Sequence, residues 1–189
     1  MIDPKKDLHR LKDSKEYKEW IATHKESYLS DFFCILDKES SDDNIWQIDY
    51  YNPSNDTMTS FELPADKRKK CKLKEKESKV FKPEADKVNE LILEKIKLND
   101  KEVMDIAKEV LKEKHPGEQA IKTILILQHN RELDVPIWNL TFMTTGLNMF
   151  NAKIEPSSGK VLESSLKSAM SLKKEMLPGT KKDSKPTAS

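Results

Sequence analysis

Glycine is scarce in this chain. Four occur in 189 residues, at positions 117, 146, 159 and 179. None has the spacing that lets backbone amides cradle a phosphate, which excludes the common nucleotide-binding loops. Cysteine is scarcer still, and Cys34 and Cys71 are too few for a disulfide framework. No Cys-x-x-Cys pair and no His-Glu-x-x-His run occurs, so the usual zinc motifs are missing. Cys34 lies in the apolar run Phe32-Phe33-Cys34-Ile35-Leu36, where a thiol behaves as a small hydrophobe. Cys71 lies among lysines, which would depress its pKa at an exposed position. Structural roles are expected for both. No apolar run approaches the roughly 20 residues that span a bilayer, and residues 1–7 lack the apolar core of a signal peptide. The expectation is a cytoplasmic chain, or an exported one if a leader has been trimmed. A net charge of +1 gives no global pull towards nucleic acid or anionic lipid.

What the chain does have is charge, at 35% of residues, against 36% hydrophobic. That balance describes a heavily solvated protein with a modest core. Leu8, Leu11, Tyr17, Trp20 and Ile21 form one apolar stripe, predicting a helix over 7–24, with Ser14 as an alternative cap for a shorter one. Residues 28–37 are apolar on both faces in their middle and read as a central strand. Residues 45–51 and 57–63 read as two more strands around the turn 52–56. Val88, Leu91, Ile92 and Ile96 fit a short helix within 84–98. Asn99 and Glu102 have capping-box spacing before a helix at 100–114, striped by Val103, Ile106, Ala107, Val110 and Leu111. A strand at 122–128 follows. From 136, Ile137, Asn139, Thr141 and Met143 alternate with Trp138, Leu140 and Phe142, the period of a half-buried strand. Turns at 144–146 and 156–159 bound a second strand over 147–154 and a short third one over 160–163. Residues 166–176 suit one more helix, and 177–189 have a disordered composition.

The strand opened by Trp138, with Ile154-Glu155-Pro156-Ser157-Ser158-Gly159-Lys160-Val161 further on, resembles the PepSY domain. The helix at 100–114 takes the place of that family's preceding helix, so the resemblance covers about 99–165. The first half repeats the order of helix, strand, Trp-led strand at Trp46, Pro-Ser turn and strand. Placing Pro53 on Pro156 suggests a diverged second copy over 7–63 that lacks one hairpin strand. The expected fold class is therefore α+β, with helices packed on one face of twisted antiparallel sheets and two PepSY-like halves in tandem. Unit 1 would span 7–63, a basic linker and short helix 64–98, unit 2 99–176 and a tail 177–189. Trp46 and Trp138 are expected as buried anchors under the helices, and Gly159 as the turn residue that tolerates positive φ. The resemblance implies a non-catalytic binding or regulatory module that restrains a peptidase, acting in trans because no peptidase is part of the chain.

The remaining chemistry is sparse. Within 64–83, nine Lys or Arg residues face three acids, an excess of +6. Such a run is usually a solvated, self-repelling loop or edge. Lys67, Arg68, Lys69, Lys70 and Lys72 are its candidate partner-binding residues. The run lacks the interleaved aromatics of a single-strand platform, which disfavours nucleic acid and leaves a protein or peptide as the expected partner. His129, Glu132 and Asp134 fall in one loop, a grouping that polar loops produce by chance, so no metal, cofactor or catalytic residue is assigned. Two other functions remain open. One is a small-ligand enzyme working in a cleft between sheet and helix, which a buried Asp, Glu or His facing that cleft would favour. The other is a binder of RNA or an acidic partner through residues 67–82.

Overall fold

A computed structural model describes residues 3–37, 44–79 and 88–169. Polar caps start each of its three helices. Asp3 accepts hydrogen bonds from the Lys5 and Lys6 amides and opens α1 (Pro4–Asp13), with Pro4 in the first turn, where its missing N–H costs nothing. Ser14 ends that helix with extended backbone and caps α2 (Lys15–Ile21) through the Tyr17 amide at 3.2 Å. The single helix expected over 7–24 is thus two. Asn99 accepts from Lys101 and Glu102, while the Glu102 carboxylate accepts from the Asn99 amide at 2.8 Å, closing a capping box on α3 (Asp100–Lys114). Val103, Ala107 and Leu111 are its buried stripe, with Ile106 and Val110 packed partly against the core.

Eight strands form one sheet. They are β1 (Tyr28–Asp37), β2 (Ile45–Asn52), β3 (Thr57–Pro64), β4 (Lys72–Lys79), β5 (Ala120–Asn130), β6 (Val135–Thr144), β7 (Asn148–Ile154) and β8 (Val161–Ser168). Their order is β4-β3-β2-β1-β5-β6-β7-β8, and every neighbouring pair is antiparallel. Each half runs outward from the centre as a meander, and β1 meets β5 with Phe32 opposite Leu127.

This arrangement corrects the expected α+β class of helices on twisted sheets in tandem units. The described chain is mainly strand, the sheet is continuous across both halves, and the helices are few and short. The Pro-Ser alignment also matched the wrong turns. Pro53 lies between β2 and β3, whereas Pro156 lies between β7 and β8. The strand missing from the expected first copy is β4, inside the expected linker. Its sequence KLKEKESK carries no apolar alternation: Leu73 packs against the core, and the strand is a sheet edge. Charge on such an edge discourages pairing with another chain.

The helix expected over 84–98 is absent from its described part. Residues 88–92 have no regular structure, Ile92 being extended, and Leu93–Lys95 turn as a 3-10 helix. Tertiary hydrogen bonds outweigh the helical period here. The Leu91 amide donates to Leu29 O at 2.8 Å, and the Lys97 and Leu98 amides both reach Pro156 O at 3.0 Å. β8 extends through Ser168, where a last helix was expected, and residues 170–189 lie outside the described residues.

The main core forms on one sheet face, while Tyr51, Asp49 and Ile137 are buried on the other. Cross-strand register aligns Phe32 with Ile48 and Leu127, and Leu127 with Trp138. Trp46 and Trp138 meet near the middle with ring centroids 6.3 Å apart. Leu11, Tyr17, Trp20, Val103, Ala107 and Leu111 bring all three helices to this same cluster. At the far edge, Gly159 has φ +79°, and a Cβ there would lie 2.9 Å from Ile106 Cδ1. Gly159→Ala is therefore expected to destabilise by about 1–2 kcal/mol through left-handed backbone strain, with some contribution from the displaced Ile106. A urea midpoint unchanged by the substitution would refute this.

Candidate binding face

The opposite sheet face carries its own register rows. Asp49, Asp31 and Gln128 lie side by side, then Gln47, Phe33, Ile126 and Asn139. The next row holds Ile35, Ile124, Thr141 and Asn151. The large buried side chains of the described helices all join the cluster on the other face. Ile35 (42%), Ile45 (45%) and Met143 (38%) stand exposed here. Exposed apolar side chains grouped on one surface mark a contact site more often than chance placement does.

Polar groups flank that apolar band. Asn151 Nδ2 donates to Asn139 Oδ1 at 2.8 Å, Thr141 Oγ1 at 2.9 Å and Leu140 O at 3.1 Å. Lys153 pairs with Glu163 at 2.7 Å. On the other flank, Lys74 Nζ donates to Gln47 Oε1 at 3.0 Å and lies 3.7 Å from Glu62.

Between these flanks lies a carboxyl pair. A bulge at Ser30 shifts the β1 register between Leu29 and Asp31, turning Leu29 to the core and Asp31 to the open face opposite Asp49. Ser30 Oγ donates to Asp31 Oδ2 at 2.6 Å. Gln47 Nε2 donates to both Asp49 carboxylate oxygens, at 2.9 and 3.1 Å. Burial, and then the charge of Asp49, push Asp31 up to about 7; burial raises Asp49 as well. The two carboxyls therefore hold a proton between them near neutral pH. Sequence reading missed this pair, since the bulge that brings it together leaves no mark on the run YLSDFFCILD. The acid inside an otherwise apolar central strand was the one available signal.

The residues singled out from sequence are scattered. Lys67, Arg68, Lys69 and Lys70 are exposed in the β3–β4 loop and Lys72 opens β4. Arg10 of α1 fixes that loop by donating to the carbonyls of Pro64 (2.7 Å), Asp66 (3.3 Å) and Lys69 (2.9 Å). Arg68 pairs with Asp66, and its hydrogen bonds hold that carboxyl down at about 2. Cys71 is buried, so the lowering that lysines would give an exposed thiol does not apply, and desolvation raises it. Burial, then Asp100, push Cys34 up to about 12. Trp46 and Trp138 are both buried in the core. His129 Nε2 lies 3.7 Å from the exposed Asp134 and its Nδ1 3.0 Å from Asn89 Nδ2. Among the described residues, no group of three or more His, Cys, Asp or Glu gathers as a metal site.

The class defined by this fold is an eight-stranded antiparallel sheet with helices on one face. A solved structure of a candidate lipoprotein from Clostridium difficile 630 is similar, with a TM-score of 0.52 over 79% of this chain and 89% of that one. At 15% identity the likeness speaks for the fold alone. No family model and no curated protein matches the chain. Among the described residues, no helix is long and apolar enough to cross a membrane.

Proposed function

We propose that the chain is a non-catalytic binding module that grips a folded protein partner on the open face of its sheet. The observation that carries this is the one-sided packing of the helices, which leaves Ile35, Ile45 and Met143 exposed between polar flanks. An apolar centre within a polar rim is the usual anatomy of an interface. Eight strands about 4.8 Å apart make a face roughly 34 Å wide. That is room for the ~800 Å² that each partner buries in a standard complex. The resemblance to PepSY extends the reading to a regulatory role, with a peptidase restrained in trans. The fold shared with a candidate lipoprotein favours the exported alternative over the cytoplasmic one.

The test is capture of a partner from native lysate, followed by titration with two variants. Ile35→Glu/Met143→Glu is expected to weaken binding at least tenfold, because it puts two charges into the apolar centre. Reversal of Lys67, Lys69 and Lys70 to Glu should leave affinity within a few-fold. Binding of RNA or DNA that falls steeply with salt and disappears in the triple reversal would overturn the proposal in favour of the basic loop.

A further inference from the structure

The two outer edges of the sheet are built differently. β4 carries Lys or Glu at six of its eight positions, and charge of that density keeps other strands away. β8 reads VLESSLKS, with one acid, one base and no proline. Its register with β7 runs without a shift from Asn148–Ser168 to Lys153–Glu163, and the one irregularity lies beyond, towards Val161. Among the described residues no strand pairs with its outer side. α3 packs chiefly over β6 and β7, with Lys114 Nζ reaching Ser164 Oγ at 2.7 Å on the helix face.

The alternation of backbone groups determines what this edge offers. The Ala169 amide donates to Leu147 O at 3.1 Å, in line with the Asn148–Ser168 register. In an antiparallel ladder such bonded pairs alternate with non-bonded ones. Glu163, Ser165 and Lys167 therefore turn their amides and carbonyls to β7, while Ser164 and Leu166 turn theirs outward. The side chains of Glu163, Ser165 and Lys167 share the open face with Lys153, Asn151 and Met149.

A second copy brought antiparallel to this edge meets its own sequence. About a two-fold axis through Ser165, that residue faces its counterpart as a non-bonded pair, with Cα atoms about 4.5 Å apart. Glu163 of one copy then lies directly opposite Lys167 of the other, and the symmetry repeats the pair. Centring on Glu163 or on Lys167 instead sets like charges opposite each other, and centring on Ser164 or Leu166 sets neither charge against the other. Opposite charges directly across two strands stabilise the pairing and like charges oppose it. Both side chains are available. Lys167 is exposed and has no partner among the described residues, and Glu163 stays 56% exposed although Lys153 Nζ lies 2.7 Å away.

We propose that two copies of this chain dimerise through β8, antiparallel about Ser165, joining their sheets edge to edge. The axis stands normal to the sheet, so the helices of both copies stay on one side and the two open faces become continuous. The proposal goes beyond partner binding on the open face and does not rest on it.

Sedimentation velocity of the full chain, from micromolar to near-millimolar concentration, is expected to show a monomer–dimer equilibrium. Lys167→Glu sets acid against acid at both ends of the pairing and should weaken the dimer about tenfold. That lysine has no partner within the described chain, so the melting temperature of dilute protein should not change. Glu163→Lys/Lys167→Glu restores opposite charges and should return the affinity to within a few-fold of wild type. Ser165→Cys gives an independent readout, because the introduced thiols lie within disulfide reach across the axis while Cys34 and Cys71 are buried. Mild oxidation with diamide should link the copies at least tenfold faster than it links Ser54→Cys, on the exposed β2–β3 turn. Three results would each overturn the proposal: a monomer at every concentration, a dimer undiminished by Lys167→Glu, or cross-linking no faster than in the Ser54→Cys control.

Discussion

Asp31→Asn is expected to make the protein more stable above neutral pH and to flatten part of its stability profile. The wild-type carboxyl is raised in the folded state from an ordinary 3.8 to about 7, by burial first and by the charge of Asp49 second. Between pH 4 and 7 the folded state therefore holds a proton that the unfolded state has released. Stability falls as pH rises wherever the folded state binds more protons, so this site loses ground across that window. Below about pH 4 both states are protonated and the term vanishes; above about pH 7 it is fully present. The rise corresponds to a cost of about 4 kcal/mol at pH 8. Asparagine removes the titration and can still donate to Asp49, whose two oxygens already accept from Gln47. Urea unfolding of both proteins at pH 5 and pH 8 checks this, with the stability gain of the variant growing towards pH 8. The comparison is made between variant and wild type because Asp3, Asp66 and Glu118 are shifted downward and act in the opposite sense. An equal difference at the two pH values would show that the pair does not share a proton.

Much of the fold was legible where the pattern was local. Asn99 and Glu102 announce α3 because both partners of a capping box lie within one turn. The alternation from Ile137 to Met143 announces β6 because one of its faces is buried and the other is not. What was lost is what depends on distant contacts. β4 shows no apolar period because a sheet edge supplies no second neighbour to demand one. Residues 88–98 have a helical spacing, yet Leu29 and Pro156 offer their amides better-placed acceptors than a helix would. Joining of the halves through β1 and β5 is invisible locally, since a strand with two neighbours and one with a neighbour and solvent differ only at their outer face. The candidate face suffered most. Ile35, Ile45 and Met143 are separate in sequence and become one surface only through register. The basic run, conspicuous on paper, is partly neutralised by Asp66 and tied down by Arg10.

Truncating Trp138 should cost more than any comparable change at Trp46, although both rings are buried at the same depth. Trp138→Ala is expected to destabilise by about 3–5 kcal/mol from lost burial and the cavity left behind. The milder pair of changes to Phe separates the two sites. Trp138 Nε1 donates to Leu98 O at 3.1 Å, and the neighbouring Leu98 amide in turn reaches Pro156 O at 3.0 Å. Trp138 thereby ties the entry of α3 and the β7–β8 turn to the centre of the sheet. Phenylalanine there loses ring volume and also leaves a carbonyl short of its partner, a further penalty of roughly 1–3 kcal/mol. Trp46 Nε1 is buried without a partner, so Trp46→Phe removes an uncompensated polar group along with some packing. Urea midpoints should therefore fall clearly for Trp138→Phe and little for Trp46→Phe. Equal falls would mean that the Leu98 bond adds nothing to stability. The same curves test the continuity of the sheet. Because Trp46 and Trp138 belong to one core cluster on strands of opposite halves, circular dichroism and Trp fluorescence should report one coincident transition in every variant. Two separated transitions would mean that the halves unfold as independent units in spite of the shared β1–β5 pairing.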